Sequence, residues 1–247
     1  MGKSCRMPLL RELMQMATQL AWAFVILAMT ASIGSHKASA ADNAADHKIG
    51  SSAVWQPGEQ FVTNAHKACD SSPGSNFAEC FIDQMTKAGA PNDAVAFTRE
   101  LYKFNHGDIG IMRGFQAVGP VDIAWIEYPL RANTNNGLLL VNGKPAIIDM
   151  EDLKLLDKKG MEQSPQFKDV KARFPNVDLW PGDRDGKTWP NSQKGANGGI
   201  QFVADYPLIN GCHACARVGS VYFNWNFDAD GKFIGTTFIG MTPPPLQ

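Results

Sequence analysis

Between residues 60 and 104 the apolar positions recur every three or four residues, which puts them on one side of a helix. Three helices are predicted there. The first runs from Gln60 to Ala68. The second runs from Asn76 to Met85, with Phe77, Cys80, Phe81 and Met85 along one side. The third runs from Asp93 to Phe104 and carries Val95, Phe97, Leu101, Tyr102 and Phe104. Asn92 is read as the N-cap of the third, and Pro91 ends what precedes it.

From residue 108 the apolar residues come instead in runs of four to eight, broken by Gly, Asn and Pro, which is strand spacing. VDIAWIEYPL (121–130) is apolar on both faces, as a central strand requires. LLLV and AIID flank Asn142-Gly143, a pair that tolerates positive φ and so predicts a hairpin. A helix is predicted behind Ser164-Pro165, with Phe167, Val170 and Phe174 on one side. Near the end, Val221, Phe223, Trp225 and Phe227 alternate with Tyr222, Asn224 and Asn226, the period of a half-buried strand. Asp230-Gly231 reverses the chain and Phe233 to Ile239 returns. Helices first and strands later give an α+β fold, short N-terminal helices packed on a mostly antiparallel sheet.

Residues 1–40 carry Lys3, Arg6 and Arg11, then an apolar run, then Ala38-Ser39-Ala40: the order of a secretory signal peptide cleaved after Ala40. Residues 41–55, small and polar at the start, are read as a flexible arm, and 56–247 as one domain. Cleavage leaves 19 basic against 23 acidic side chains, a net charge of −4 that offers no footprint for nucleic acid. The expected location is extracytoplasmic, the periplasm in a bacterium and otherwise secreted, with no membrane span after cleavage.

The chemistry then turns on cysteine. Residues 211–217 read GCHACAR. A covalent haem anchor requires histidine directly after the second cysteine, where Ala216 stands. A thiol-disulfide couple at Cys212 and Cys215 requires a helix behind it to lower the thiol pKa, and a strand pattern follows instead. Zinc would draw on Cys69, Cys80, His66 and His213, but an oxidising compartment pairs such thiols. The expected pairing is therefore local, Cys69 with Cys80 and Cys212 with Cys215, with neither metal nor cofactor. The second ring stiffens its loop and presents His213 and Ala214.

The stretch FVADYPLINGCHACARVGSVYFNWNF with the following DADGKFIG resembles the matching segment of periplasmic lysozyme inhibitors of the inhibitor-of-vertebrate-lysozyme type. In that family a disulfide-closed loop carrying a histidine lies between strands and enters the enzyme's cleft. The resemblance implies that His213 is the contact residue; here the cysteines enclose only His213 and Ala214.

The remaining candidates are sparse. Pro181 to Gly199 is polar, glycine-rich and too long for a turn, so it is a functional or a disordered loop. Trp180 and Trp189 flank it, either stacking on a ligand or anchoring the loop. His106 with Asp108 has acid-base chemistry available but sits in a turn. Glu127, inside an apolar run, needs a partner such as Arg113 or Arg131. The reading favoured is a disulfide-stapled binding or inhibitory protein, not an enzyme, whose contact set is His213, Ala214, Arg217, Trp180 and Trp189 and whose partner in the envelope is a protein or small molecule. An envelope-assembly protein without catalysis and a thiol-disulfide oxidoreductase using Cys212 and Cys215 are the alternatives.

Overall fold

The apolar stripes of the front helices are satisfied by one another and by a sheet. The computed structural model describes residues 48–70, 76–132, 135–181, 189–212 and 215–242, so the expected signal peptide and the start of the expected arm lie outside the described residues. Helix α1 spans Phe61–Asp70, α2 Phe77–Lys87 and α3 Asn92–Phe104. Asn76 caps α2 by accepting from the Ala78 amide at 3.1 Å. At α3 the cap position falls to Pro91 rather than Asn92, which is already the first helical residue. Phe81 and Met85 of α2 meet Ala65 and Cys69 of α1, and Trp55 stacks edge-on against Phe61. Residues 48–55, expected in a loose arm, are instead packed: Ala53 and Trp55 are buried, and Ile49 bonds to Asn142 through its amide and its carbonyl. Spacing misses this because the segment has no period of its own.

Two antiparallel sheets take the place of the single one expected. Sheet 1 is the meander β1 (Ile111–Gln116), β2 (Asp122–Glu127), β3 (Asn136–Val141) and β4 (Ile147–Asp149). As its apolar run predicts, β2 is central, between β1 and β3. Phe97 and Leu101 of α3 pack on one face of sheet 1 with Ala124, Ile126, Leu139 and Val141. The other face, Val121, Ile123, Leu138 and Leu140, meets sheet 2.

Sheet 2 holds β5 (Val177–Leu179), β7 (Ile200–Asn210), β8 (Arg217–Phe227) and β9 (Phe233–Thr242) in that order. β6 (Asn191–Lys194) pairs with the first part of β7, on the stretch that β5 does not reach. Phe202, Tyr206, Phe223 and Trp225 are fully buried, and Tyr222, Asn224 and Asn226 alternate with them on the outer face. Helices α4 (Lys158–Gln163) and α5 (Pro165–Arg173) add Met161, Phe167 and Val170 to the inter-sheet core. Ser164 caps α5 through its hydroxyl, as the Ser-Pro pair predicts. The layers run helices, sheet 1, sheet 2. Among the described residues every pair of neighbouring strands within the two sheets is antiparallel, and the class is α+β.

The turns at Asn142-Gly143 and Asp230-Gly231 dock on each other and tie the sheets together. Lys144 donates to the Gly231 carbonyl at 2.8 Å, and Phe233 donates to the Lys144 carbonyl at 2.9 Å. A Cβ at Gly143 would stand 2.8 Å from that Gly231 oxygen, so only glycine fits. The β3–β4 connection is longer than a two-residue turn: Asn142 donates to the Ala146 carbonyl at 2.9 Å, across a loop holding a cis Lys144–Pro145 bond. In β9 the pentads FIGTT and FIGMT turn each Phe inward, Phe233 on Trp225 and Phe238 on Phe223. Each Ile sits at a bulge and is exposed, 64% for Ile234 and 47% for Ile239.

Candidate functional site

The two longest adjacent strands, β7 and β8, are joined by residues 211–216, and a disulfide links Cys212 to Cys215 there with Cα atoms 5.0 Å apart. The loop is hydrogen-bonded at its base. Cys215 donates to the Cys212 carbonyl at 2.8 Å, Asn210 to the Ala216 carbonyl at 3.3 Å, and Gly211 to the Asn176 carbonyl at 3.1 Å. Gly211 has φ 104°, a turn geometry suited to glycine. Cys215 passes within two residues into β8, so no helix amides point at either sulfur. His213 and Ala214 lie outside the described residues.

The other expected contact residues are not gathered at the loop. Arg217 opens β8, but its guanidinium turns back along the strand to Asp205 at 3.4 Å, to the Ser220 hydroxyl and to the Gly219 carbonyl at 3.3 Å. Trp180 donates its amide to the Pro207 carbonyl at 3.1 Å. That level is three strand residues, roughly 10 Å, back from Asn210 and the tip. Trp189 is half-buried against the inter-sheet core. Its indole lies over Gly114 of β1, where a Cβ would come within 3.1 Å of the ring. Trp189 thus anchors the polar loop. The described part of 181–199 is also more regular than a loop: β6 forms there through backbone bonding to β7, although all four of its side chains are exposed.

The first disulfide joins Cys69 of α1 to Cys80 of α2, Cα to Cα 5.6 Å, and closes the helical hairpin. It consumes two of the zinc candidates, and His66 packs edge-on against Phe77. Among the described residues no group of three or more His, Cys, Asp or Glu could hold a metal ion, and no helix is long and apolar enough to cross a membrane.

Glu127 pairs with Arg113 at 2.9 Å and remains a third exposed. The deeply buried carboxylate of that strand is Asp122, 1% exposed, which the sequence reading passed over. It accepts from the Val118 and Gly119 amides at 2.8 and 3.2 Å and from Asn142 at 2.7 Å, with Lys48 at 3.3 Å. Burial works to raise its pKa, but these hydrogen bonds and the Lys48 charge hold it below the usual value.

The second candidate, Arg131, belongs to a different place. A cavity of about 410 Å³ opens between the end of α3 and the turn after β4, lined by Phe104, Asn105, His106, Asp108, Arg131, Asp149 and Asp152. The Arg131 guanidinium lies 3.6 Å over the Tyr128 ring. It reaches Asp108 at 2.9 Å and Glu151 at 3.4 Å. Burial disfavours its charge, yet the Tyr128 oxygen and the Asp108 and Glu151 carboxylates keep its pKa above the ordinary arginine value. Burial also pushes the Asp149 carboxyl up, against a hydrogen bond from the Glu151 amide at 2.7 Å and the Arg131 charge. His106 is exposed at the rim with φ 53°. The sequence pairs His106 with Asp108 but offers Arg131 only as a partner for Glu127; the signal that could have marked the cavity is the acidic turn DMED at 149–152.

No protein-family model, curated protein or solved structure matches this chain.

Proposed function

We propose that this chain is an exported, disulfide-stapled binding protein that presents the loop between β7 and β8 to a partner, with a hydrolase of the lysozyme kind as the target implied by the segment's resemblance. One observation carries the reading. A disulfide spans only residues 212–215 at the junction of two eleven-residue strands whose inner side chains form the core. A loop held at both ends by such strands loses little conformational freedom on binding, and preorganisation of this kind improves affinity without new contacts. The signal-like N-terminus and two disulfides support an oxidising compartment. A thiol-disulfide enzyme is less well supported, because Cys215 leads into a strand and lacks the helix amides that stabilise a thiolate.

The test is titration of the mature protein against a vertebrate lysozyme, beside His213→Ala. The expected result is inhibition by the wild type and affinity weaker by about tenfold or more in the variant, at unchanged Tm. Equal affinity in the two proteins would remove the loop as the contact. The redox alternative is checked separately: a structural Cys212–Cys215 bond resists glutathione buffers that reduce a catalytic couple.

A further inference from the structure

We propose that the cavity between α3 and the turn after β4 binds an alkyl-ammonium or alkyl-guanidinium group, its charged head against Asp149 and Asp152 and its stem along Phe104. The inference starts from charge. Four carboxyls, Asp108, Asp149, Glu151 and Asp152, share one neighbourhood with a single arginine. Arg131 is already committed: Nε and one terminal nitrogen both reach Oδ2 of Asp108, at 3.0 and 2.9 Å, and the other terminal nitrogen reaches Glu151. Its plane is held on Tyr128, whose hydroxyl is fixed by Asn105 Nδ2 at 3.0 Å. The guanidinium therefore cannot swing to Asp149 or Asp152.

Those two carboxyls line the cavity, and among the described residues neither forms an ion pair. Each has one oxygen fixed by a local amide, Asp149 by Glu151 and Asp152 by Lys154 at 3.0 Å, which leaves the carboxylates rigid. Both carboxylates are half-buried, Asp149 feels the like charge of Asp152 beside it, and an incoming cation relieves that repulsion. The aromatic wall is an independent feature. Phe104 ends α3 with 39% of its surface exposed and lines the same cavity. An aromatic face beside carboxylates is the chemistry that recognises organic cations, the ring taking the apolar stem or the charge itself. A volume of about 410 Å³ suits a group the size of a lysine or arginine side chain. Burial raises the pKa of Asp149, and a bound cation would oppose that rise. The groups facing it are His106 and Asp108 from the end of α3, Tyr128 and Arg131 after β2, and Glu151 and Asp152 from its own turn.

The test uses the full mature chain and three probes followed by NMR titration: butylguanidinium, its neutral isostere butylurea, and the blocked tripeptide Gly-Arg-Gly. Saturable shifts confined to the lining residues are expected with the two cations and absent with butylurea. Asp149→Asn combined with Asp152→Asn should weaken butylguanidinium binding by about tenfold or more. Phe104→Ala should weaken it severalfold and serves if the double variant does not fold. Tighter binding of the tripeptide assigns the site to a basic side chain of a protein, and tighter binding of butylguanidinium to a free amine or guanidine; either supports the site. No saturable shift with either cation, equal shifts with butylurea, or undiminished binding to the folded double variant would overturn it. None of these results bears on the β7–β8 loop.

Discussion

Asn142, at φ 66° in the turn after β3, donates from Nδ2 to Asp122 Oδ2 at 2.7 Å, and the same amide grips Ile49 through both of its polar atoms at 2.8 Å. One side chain thus satisfies a buried carboxylate and fastens the N-terminal segment. Asn142→Ala should cost about 2–4 kcal/mol, since it orphans these partners and places a Cβ-bearing residue without a local hydrogen bond in left-handed backbone. Denaturant unfolding measures the loss, and hydrogen exchange at residues 49–55 should rise with it.

Asp122 also sets a pH dependence. Its folded pKa lies below the ordinary value of 3.8, so its stabilisation is complete above that value and is lost as pH falls through the lower, folded one. Asp122→Asn should flatten the acid limb of a Tm-against-pH curve. An unchanged limb would assign acid sensitivity to other carboxylates.

Asp149 has the opposite sign. With its folded pKa raised by burial, its favourable contribution is present below 3.8 and lost as pH rises through the raised value. Asp149→Asn keeps the acceptor for the Glu151 amide and removes the charge. It should raise Tm at about pH 7 and leave it unaltered at about pH 3. Scanning calorimetry at the two pH values decides it.

The two disulfides should separate in magnitude. Replacing Cys69 and Cys80 by alanine opens a loop of sequence separation 11 between helices and should cost about 3 kcal/mol, whereas removing Cys212 and Cys215 should cost about 2 kcal/mol. Urea midpoints of the two double variants check the order.

Tyr206 bridges the sheets: its hydroxyl donates to the Met150 carbonyl at 2.7 Å and accepts from Trp225 Nε1 at 3.1 Å. Tyr206→Phe leaves a buried carbonyl and a buried indole N–H unpaired, at an expected cost of about 2 kcal/mol or more. A loss within about 0.5 kcal/mol of zero would mean that water fills the gap.

The sequence by itself determined what depends on neighbours close along the chain. The helical stripes, the Ser164 cap, the alternation from Val221 to Phe227 and the turn at Asp230-Gly231 all express periods or dipeptides a few residues long. The cysteine pairs are likewise local, 11 and 3 residues apart. Tertiary structure decided which faces meet. It split the strands into two sheets, seated Ala53 and Trp55 in the core, and formed β6 from four exposed polar residues, because backbone pairing requires only an open strand edge. It also chose the buried acid. Glu127 and Asp122 occupy the same apolar run, but β2 leaves the first beside Arg113 and encloses the second among amides. The Arg131 cavity is the clearest case. Asp108, Arg131 and Asp149 are each an ordinary polar residue near a turn, and only the packing of α3 against sheet 1 makes their charges one electrostatic system.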